Sequence, residues 1–262
     1  DKASATAGSG TLAVNAQTIV LGATPDATSD ARGFAVKGFD AVTLDAQKGV
    51  RLSGAGNHHF AADTLTISTP QVSADTGAST RIGSDGAVAI QGGGTASTVQ
   101  AGVGASLAVD AQRIDVASRI VLPSGRISLS AVGDIQLASG GTLDVAGTAK
   151  DYLGKTVTTP GGDVAIVSRA GNIALNSGAR VDVSAAGSGS AGSVTLSAPE
   201  GDIEVAAGVL RAQSAGGASG GDFSIDTRAA ASLDGIAALT GEFTRSWQAR
   251  VRDGDTRLDA NV

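Results

Sequence analysis

Several residue types are rare or absent in this chain of 262 residues, and each absence narrows what the protein can be. Cysteine is missing, which excludes a disulfide framework and a thiolate metal site. The same absence fits export, because large exported bacterial proteins avoid cysteines that would pair before translocation. Methionine is also missing, and there are only three Glu and five Lys, so the common surface helix formers are scarce. Together these absences predict a chain with little helix.

Aromatic residues make up only 3% of the chain, so its core must consist of Val, Ile, Leu and Ala. A sandwich or a lipocalin-type barrel of this length usually contains more aromatic side chains, whereas the narrow interior of a parallel β-helix needs few. Glycine, in contrast, occurs 38 times, about double its ordinary usage. Strand formers and turn formers dominate the remainder. The composition therefore predicts an ordered, nearly all-β protein.

Long apolar runs and excess positive charge are missing as well. No apolar stretch reaches the roughly 18 residues that a membrane-spanning helix needs, so we expect no membrane span. A formal net charge of −6 argues against nucleic acid and anionic membranes as main partners. Residues 1–10 contain no apolar segment typical of a signal peptide, and both ends of the sequence resemble its interior. We expect 1–262 to form a single β-helix that is a fragment of a longer solenoid.

A short motif recurs along the second half of the chain. Gly, then Asp or Asn, then two apolar residues two positions apart, occurs at 133–137, 171–175 and 201–205. A flanking motif is led by Val164, Val194 and Phe223, which stand 30 and 29 residues apart. A fixed period built from several short strands is typical of a β-solenoid, in which each strand stacks on its equivalent in the next coil. With roughly 20–30 residues per coil, we expect about nine coils.

Alternating apolar pairs give the expected inward-facing positions, and breaks in the period give the expected surface loops. The pairs are Ile19/Leu21, Val50/Leu52, Leu65/Ile67, Val88/Ile90, Ile114/Val116, Ile120/Leu122, Ile127/Leu129, Leu143/Val145, Val181/Val183, Val194/Leu196 and Ile203/Val205. The expected loop insertions are 23–33, 54–59, 92–98 and 149–160. Residues 232–239 fit either a short helix or a further side of a coil.

These features resemble the filamentous haemagglutinin family of two-partner-secretion exoproteins. The resemblance lies in the Gly-Asp-Ile-x-Leu motif, in the Leu-x-Val-x-Ala-Gln repeats at 12–17 and 107–112, in the composition and in the missing cysteine. Segments 221–226 and 251–255 also look like parts of that family. The resemblance implies a right-handed parallel β-helix, export through an outer-membrane secretion partner, and an adhesive role at the bacterial cell surface or in secreted form. The family's amino-terminal secretion domain is not recognisable, which favours an internal or carboxy-terminal piece.

Two groups of residues raise the question of a metal site. His58 and His59 lie near Asp63, but neighbouring residues of an extended chain point to opposite sides, so we interpret the pair as part of a solvated loop. Asp residues in Gly-Asp turns suggest calcium, yet the nine-residue spacing and the extra glycines of a calcium β-roll are missing, so turn capping is favoured. These residues are Asp134, Asp163, Asp202, Asp222 and Asp255. We therefore expect no metal and no cofactor.

Enzymes that cleave polysaccharides also use the β-helix, with carboxylates clustered beside Arg or Lys on adjacent coils. The groupings available here are Asp163 with Arg169, Asp182 with Arg180, and Asp202 with Glu204 and Arg211. None is accompanied by aromatic residues, so we assign no catalytic residue and predict that the chain is not an enzyme. A polysaccharide lyase or hydrolase, and a stalk that carries a toxin domain, remain the alternatives.

Two segments are the candidates for binding. The 149–160 insertion holds Lys150, Tyr152 and Lys155, and it is the most individual part of the chain. A basic stripe near the end is formed by Arg245, Trp247, Arg250 and Arg252, and it either binds an anionic partner such as a sulfated glycan or is a solvated outer face. The sequence thus predicts a stiff rod that presents loops for contact with a host-cell surface, a glycan or a protein.

Overall fold

Nearly all of the regular secondary structure in the described residues is β, and nearly all of its strands pair in parallel. The computed structural model describes residues 9–22, 33–94, 101–214, 218–229 and 233–254. The elements are, in chain order, β1 (Gly10–Gly22), β2 (Ala35–Val36), β3 (Phe39–Ser53), β4 (Ala55–Phe60), β5 (Thr64–Ser68), β6 (Gln71–Ala74), β7 (Ser79–Ser84), β8 (Ala87–Gln91), β9 (Ser106–Ala111), β10 (Arg113–Val116), β11 (Arg119–Val121), β12 (Arg126–Ala131), β13 (Ile135–Leu137), β14 (Thr142–Asp144), β15 (Ala149–Tyr152), β16 (Lys155–Thr158), β17 (Asp163–Ser168), β18 (Ile173–Leu175), β19 (Arg180–Asp182), β20 (Ser193–Ala198), β21 (Ile203–Val205), β22 (Leu210–Arg211), β23 (Asp222–Thr227), α1 (Leu233–Leu239) and β24 (Ser246–Val251).

The strands stack into a β-solenoid with three faces. Face 3 is a nine-stranded sheet in the order β2-β4-β7-β9-β12-β17-β20-β23-β24. Faces 1 and 2 form one 13-stranded sheet. Its two halves meet at β3, which pairs with β5 through Ala41–Asp45 and with β6 through Val50–Leu52. Face 1 continues through β8, β10, β13, β18 and β21, and face 2 through β11, β14, β19 and β22. This is the expected β-solenoid, with nine strands on face 3 and about eight turns between them.

Faces 1 and 2 each depart from perfect repetition. The 13 residues of β1 and the 15 residues of β3 run through the corner between the two faces as continuous strands, with a register shift after Ala16. The sequence predicts shorter strands here, because the polar residues at these corners are typical of turns. On face 2, β11 pairs directly with β6. Among the described residues, the coil that contains β8 and β9 therefore adds no strand to face 2.

The core is a stack of aliphatic side chains that alternate with outward residues along every face. The expected inward pairs are buried, and Ile114, Ile120, Ile127 and Leu143 have no exposed surface. The exception is the pair Ile203 and Val205 on β21, which is only partly buried. A fully buried Leu or Ile side chain contributes about 1.5–3 kcal/mol, so the stacked aliphatic core is the main source of stability.

Glycines at the corners allow successive coils to approach closely. A Cβ on Gly192 would lie 1.7 Å from the carbonyl oxygen of Gly162, and one on Gly162 would lie 2.0 Å from that of Gly125. At another corner, a Cβ on Gly201 would lie 2.0 Å from the carbonyl oxygen of Gly171. These separations leave no room for a side chain. The repeated glycine of the motif is therefore required by the stacking of one coil on the next.

Of the four expected insertions, one is a regular strand, one is a hairpin, and most of the other two lies outside the described residues. Segment 54–59 is not a loop, because β4 occupies Ala55–Phe60 as a regular strand of face 3. Segment 149–160 contains an antiparallel hairpin, β15 paired with β16, which leaves the solenoid between β14 and β17. Most of 23–33 and 95–98 of the segment 92–98 lie outside the described residues. Of the two alternatives for 232–239, the structure shows the helix, α1.

Candidate functional site

Charged side chains on the outside of the solenoid pair mainly from one coil to the next. Oppositely charged atoms lie 2.9 Å apart in Arg81–Asp110, 2.8 Å in Arg126–Asp163, 2.7 Å in Arg228–Asp202 and 2.7 Å in Arg252–Asp226. Each of these pairs joins consecutive coils. Exposed pairs of this kind contribute about 0–1 kcal/mol each, so they fix the register of the coils more than they stabilise them.

These contacts alter the Asp–Arg groupings considered from the sequence. Asp163 pairs with Arg126 and not with Arg169, and Asp202 pairs with Arg228 and not with Arg211. Arg211 instead lies 3.6 Å from Glu242. Of the three groupings, only the pair of Arg180 and Asp182 is present as the sequence suggests. Nε of Arg180 donates a hydrogen bond to Oδ2 of Asp182 at 3.1 Å. Partners that are adjacent in sequence are thus mostly replaced by partners one coil away.

Two carboxylates are stacked on the outside of face 2. Asp144 and Asp182 occupy equivalent positions on β14 and β19, and each accepts a hydrogen bond from the backbone N–H two residues later. Burial raises the pKa of Asp144, and the neighbouring Asp182 adds to that effect. Burial opposes ionisation of Asp182 too, but hydrogen bonds from Ser184 and Arg180 outweigh it and hold the pKa of Asp182 below its ordinary value. The pair therefore combines one carboxyl group that resists ionisation with one that ionises readily.

The Gly-Asp turns form a ladder between coils. Oδ1 of Asp134 accepts the backbone N–H of Asn172 at 2.9 Å, and Oδ1 of Asn172 accepts that of Asp202 at 2.9 Å. Asp134 thus caps the equivalent turn of the next coil, whereas the carboxylates of Asp163, Asp202 and Asp222 pair with arginines. Within the described ranges, no group of three or more His, Cys, Asp or Glu side chains could hold a metal ion. Asp255 lies outside those ranges.

The basic stripe near the end of the chain is largely occupied by contacts within the solenoid. Arg245 pairs with Asp222, and hydrogen bonding by Arg252 lowers the pKa of the Asp226 carboxyl. Trp247 faces inward. Its ring stacks on Phe223 with the ring centroids 6.2 Å apart, and its Nε1 donates to Oγ1 of Thr240 at 2.9 Å.

Arg250 is the remaining member of the stripe. It is exposed and lies in register with Asp226. Of the four residues, Arg250 is the one whose side chain has no ion pair or hydrogen bond with another described residue. The stripe therefore offers one exposed guanidinium, whose charge helps to lower the pKa of the Asp226 carboxyl, and no exposed tryptophan face.

The hairpin of β15 and β16 presents the other candidate binding residues. Tyr152 pairs with Lys155 across a two-residue turn in which Leu153 and Gly154 have φ of 50° and 82°, as in a type I′ turn. Leu153 is fully exposed at the tip, and both Lys150 and Lys155 are exposed. The side chain of Tyr152 lies outside the described part of the structure. The hairpin thus exposes two lysines and two apolar side chains, Leu153 at the tip and Val157 beside Lys150.

The histidine pair does not lie in a solvated loop, and that interpretation was wrong. His58 faces inward on β4 with no exposed surface, and its ring centroid lies 4.4 Å from that of Phe34. A Cβ on Gly56 would lie 2.6 Å from Nε2 of His58, so the glycine leaves room for the imidazole. Neither ring nitrogen has a hydrogen-bond partner among the described residues, and burial lowers the pKa of His58. His59 points outward, as the alternation of an extended strand requires, and its Nε2 lies 3.2 Å from Oδ1 of Asp85.

An open groove of about 640 Å³ runs along face 3 and its corner with face 1. Its lining begins at β4 with His59, crosses β7, β9 and β12, and reaches Arg169 after β17. Four steps of about 4.8 Å separate these five strands, so the groove is about 19 Å long. No motif in the sequence predicts this groove, because its residues come from five separate coils.

Among the described residues, no helix combines the length and the apolar character needed to cross a membrane. No protein-family model matches this chain, and no curated protein or solved structure matches it significantly.

Proposed function

We propose that this chain is a structural and adhesive segment of a large bacterial exoprotein, a stiff rod that displays contact surfaces. The observation that carries the proposal is the hairpin of β15 and β16, which leaves an otherwise continuous stack of parallel coils. A stack in which each coil is bonded to its neighbours along three faces is a rigid support. Function in such scaffolds resides in the segments that depart from the repeat.

The hairpin has the properties of a contact surface. Lys150 and Lys155 place positive charge at one projecting point of a chain whose formal net charge is −6. Leu153 adds an apolar side chain that is fully exposed in a strained φ > 0 conformation. A leucine is costly in both respects, since it gains nothing from burial and favours negative φ. Contact with a partner would cover it.

The cellular setting follows the family resemblance and is part of the proposal. The protein is secreted or displayed at the bacterial cell surface, after passage through an outer-membrane secretion partner. The absence of cysteine and the β-solenoid fold support this setting. A β-solenoid is also compatible with a role that needs no catalysis.

Adherence of the purified chain to cultured host cells tests the proposal. The double charge reversal Lys150→Glu with Lys155→Glu is expected to reduce adherence at least fivefold. The matched control is Lys37→Glu with Lys48→Glu, which makes the same charge change at two exposed lysines of other coils and is expected to adhere normally. Failure of the unaltered chain to adhere, or equal adherence of both variants, would contradict the proposal.

A second candidate is cleavage of a polysaccharide, which the stacked carboxylates of Asp144 and Asp182 favour. A pair of carboxyl groups with diverging pKa values, beside the guanidinium of Arg180, can divide acid and base roles. Against it, Asp182 is only 4% exposed and both groups already bond to backbone N–H groups. Release of reducing or unsaturated sugar ends that is abolished by Asp144→Asn would support this candidate.

A further inference from the structure

The groove along face 3 owes its depth to a single glycine. Gly83 is an outward position of β7, in register with His59 on one side and Asp110 on the other. A Cβ at Gly83 would lie 3.2 Å from Nδ1 of His59, so even a small side chain there would enter the groove. The floor is therefore open because this one outward position lacks a side chain.

Two side-chain contacts hold the walls in place. Nε2 of His59 lies 3.2 Å from Oδ1 of Asp85, and Nε of Arg81 lies 2.9 Å from Oδ2 of Asp110. The first contact joins β4 to the turn after β7, and the second joins β7 to β9, so both connect adjacent coils of face 3. The polar atoms of the walls are thus positioned before any ligand arrives, which lowers the entropic cost of binding.

Beyond these pairs, the groove holds polar side chains that are not used within the protein. Asn57, Gln112, Ser130 and Arg169 line it, and none of their side chains bonds or ion-pairs with another described residue. They come from four of the five coils of the groove, with the coil of β7 between Asn57 and Gln112, so these donors and acceptors lie one or two coils apart, about 5–10 Å along the rod. A ligand that matches them is elongated and carries hydrogen-bonding groups along its whole length.

The charge and composition of the groove define the ligand further. With His59 neutral, the formal charges are two Arg (Arg81, Arg169) and two Asp (Asp85, Asp110), which sum to zero. The lining contains no Lys, and no Phe, Tyr or Trp. Positive and negative charges that cancel attract no highly charged ligand. Asp carboxylates accept hydrogen bonds from hydroxyl groups, and Arg guanidinium groups donate hydrogen bonds to them.

We propose that this groove binds a linear, uncharged glycan with its chain parallel to the axis of the rod. The assignment rests on the adhesive function proposed above and deepens it, since it names a class of ligand and places its site away from the hairpin. Gly83 provides the space, the two wall contacts (His59 with Asp85 and Arg81 with Asp110) orient the sugar hydroxyls, and Arg169 and Gln112 extend the contact across the later coils.

An array of neutral linear oligosaccharides of two to six residues, with a heparin hexasaccharide as the charged probe, tests the assignment on the full chain. Binding to at least one neutral series is expected to strengthen with length, and the heparin probe is expected to bind at least tenfold more weakly. Gly83→Gln fills the floor and is expected to weaken neutral-glycan binding at least tenfold. Ala165→Gln adds the same side chain on β17 outside the groove and is the matched control, expected to leave binding unchanged.

The outcomes separate this site from the adhesive function itself. Retention of neutral-glycan binding by Gly83→Gln, preference for heparin, or no binding of any neutral oligosaccharide would overturn the groove assignment. The hairpin charge reversal at Lys150 and Lys155 is expected to leave glycan binding intact. If the groove assignment fails while that reversal still abolishes cell adherence, the proposed function stands without this site. If glycan binding is confirmed while adherence is absent, the site stands and the adhesive role fails.

Discussion

The buried imidazole of His58 predicts a loss of stability in mild acid. The ring lies in the core stack with no exposed surface, and both nitrogens lack partners within the described structure. The ring of Phe34 lies against it and Ile82 is its neighbour in register, and among the described residues no charged side chain pairs with it to stabilise a protonated ring. Protonation would place an uncompensated charge in the core.

The direction and size follow from linkage. Burial lowers the pKa of His58 in the folded state below its ordinary value of about 6.5, so the unfolded chain binds a proton more readily than the folded chain does. Stability is therefore complete above about pH 6.5 and falls as the pH drops below it. Lowering the pH from 7.5 to 5.5 therefore removes at most about 1.4 kcal/mol, the value reached when the ring stays neutral in the folded coil throughout this range.

Amide hydrogen exchange in β4 and β7, measured at several pH values, reports the local free energy of opening of these coils. His58→Leu replaces the imidazole by a side chain like its stack neighbour Ile82, removes both unpaired nitrogens, and is expected to abolish the loss between pH 7.5 and 5.5. His59→Gln alters the exposed neighbour and is expected to keep it. An equal loss in His58→Leu and the unaltered protein would refute the reasoning.

Three further changes test the packing. Gly192→Ala forces a Cβ to within 1.7 Å of the carbonyl oxygen of Gly162, and we expect it to lower the free energy of unfolding of its coils by about 1–3 kcal/mol in chemical denaturation. Gly241→Ala is the control, because it has open space around it and is expected to change that free energy little. Ile173→Asp places a lone carboxylate in the core and is expected to cost several kcal/mol and open at least its own coil, so unchanged hydrogen exchange there would contradict the stacking. Replacing 149–158 by Asn-Gly is expected to leave the melting transition intact, because Thr148 and Thr159 already bond to each other at the base of the hairpin; loss of a cooperative melt would contradict this.

The core of the fold could be predicted from sequence because it depends on local alternation. The alternation in pairs such as Ile127/Leu129 and Val194/Leu196 predicts, within three residues, which side chains face the core. The period of the motif predicts how the coils stack. The same logic failed at 54–59, where two glycines and two histidines are typical of a loop. There the glycine at 56 makes space for an inward imidazole, a reason that is visible only in three dimensions.

The surface was harder to predict because its contacts are formed between coils. The partner of Asp163 is Arg126, 37 positions earlier, and that distance includes the whole hairpin insertion. Local sequence favours Arg169, which is six positions away but lies beyond the end of the strand. The groove around Gly83 has the same origin, since no single coil contains enough of it to give a signal.

We propose that this solenoid binds glycans or cell surfaces and does not cleave them. The decisive experiment exposes the purified chain to immobilised host-surface and plant or bacterial polysaccharides, and measures retention of the protein and release of reducing or unsaturated sugar ends in the same wells. We expect retention on at least one polysaccharide with no release of sugar ends. Release of sugar ends, or no retention on any surface, would contradict it.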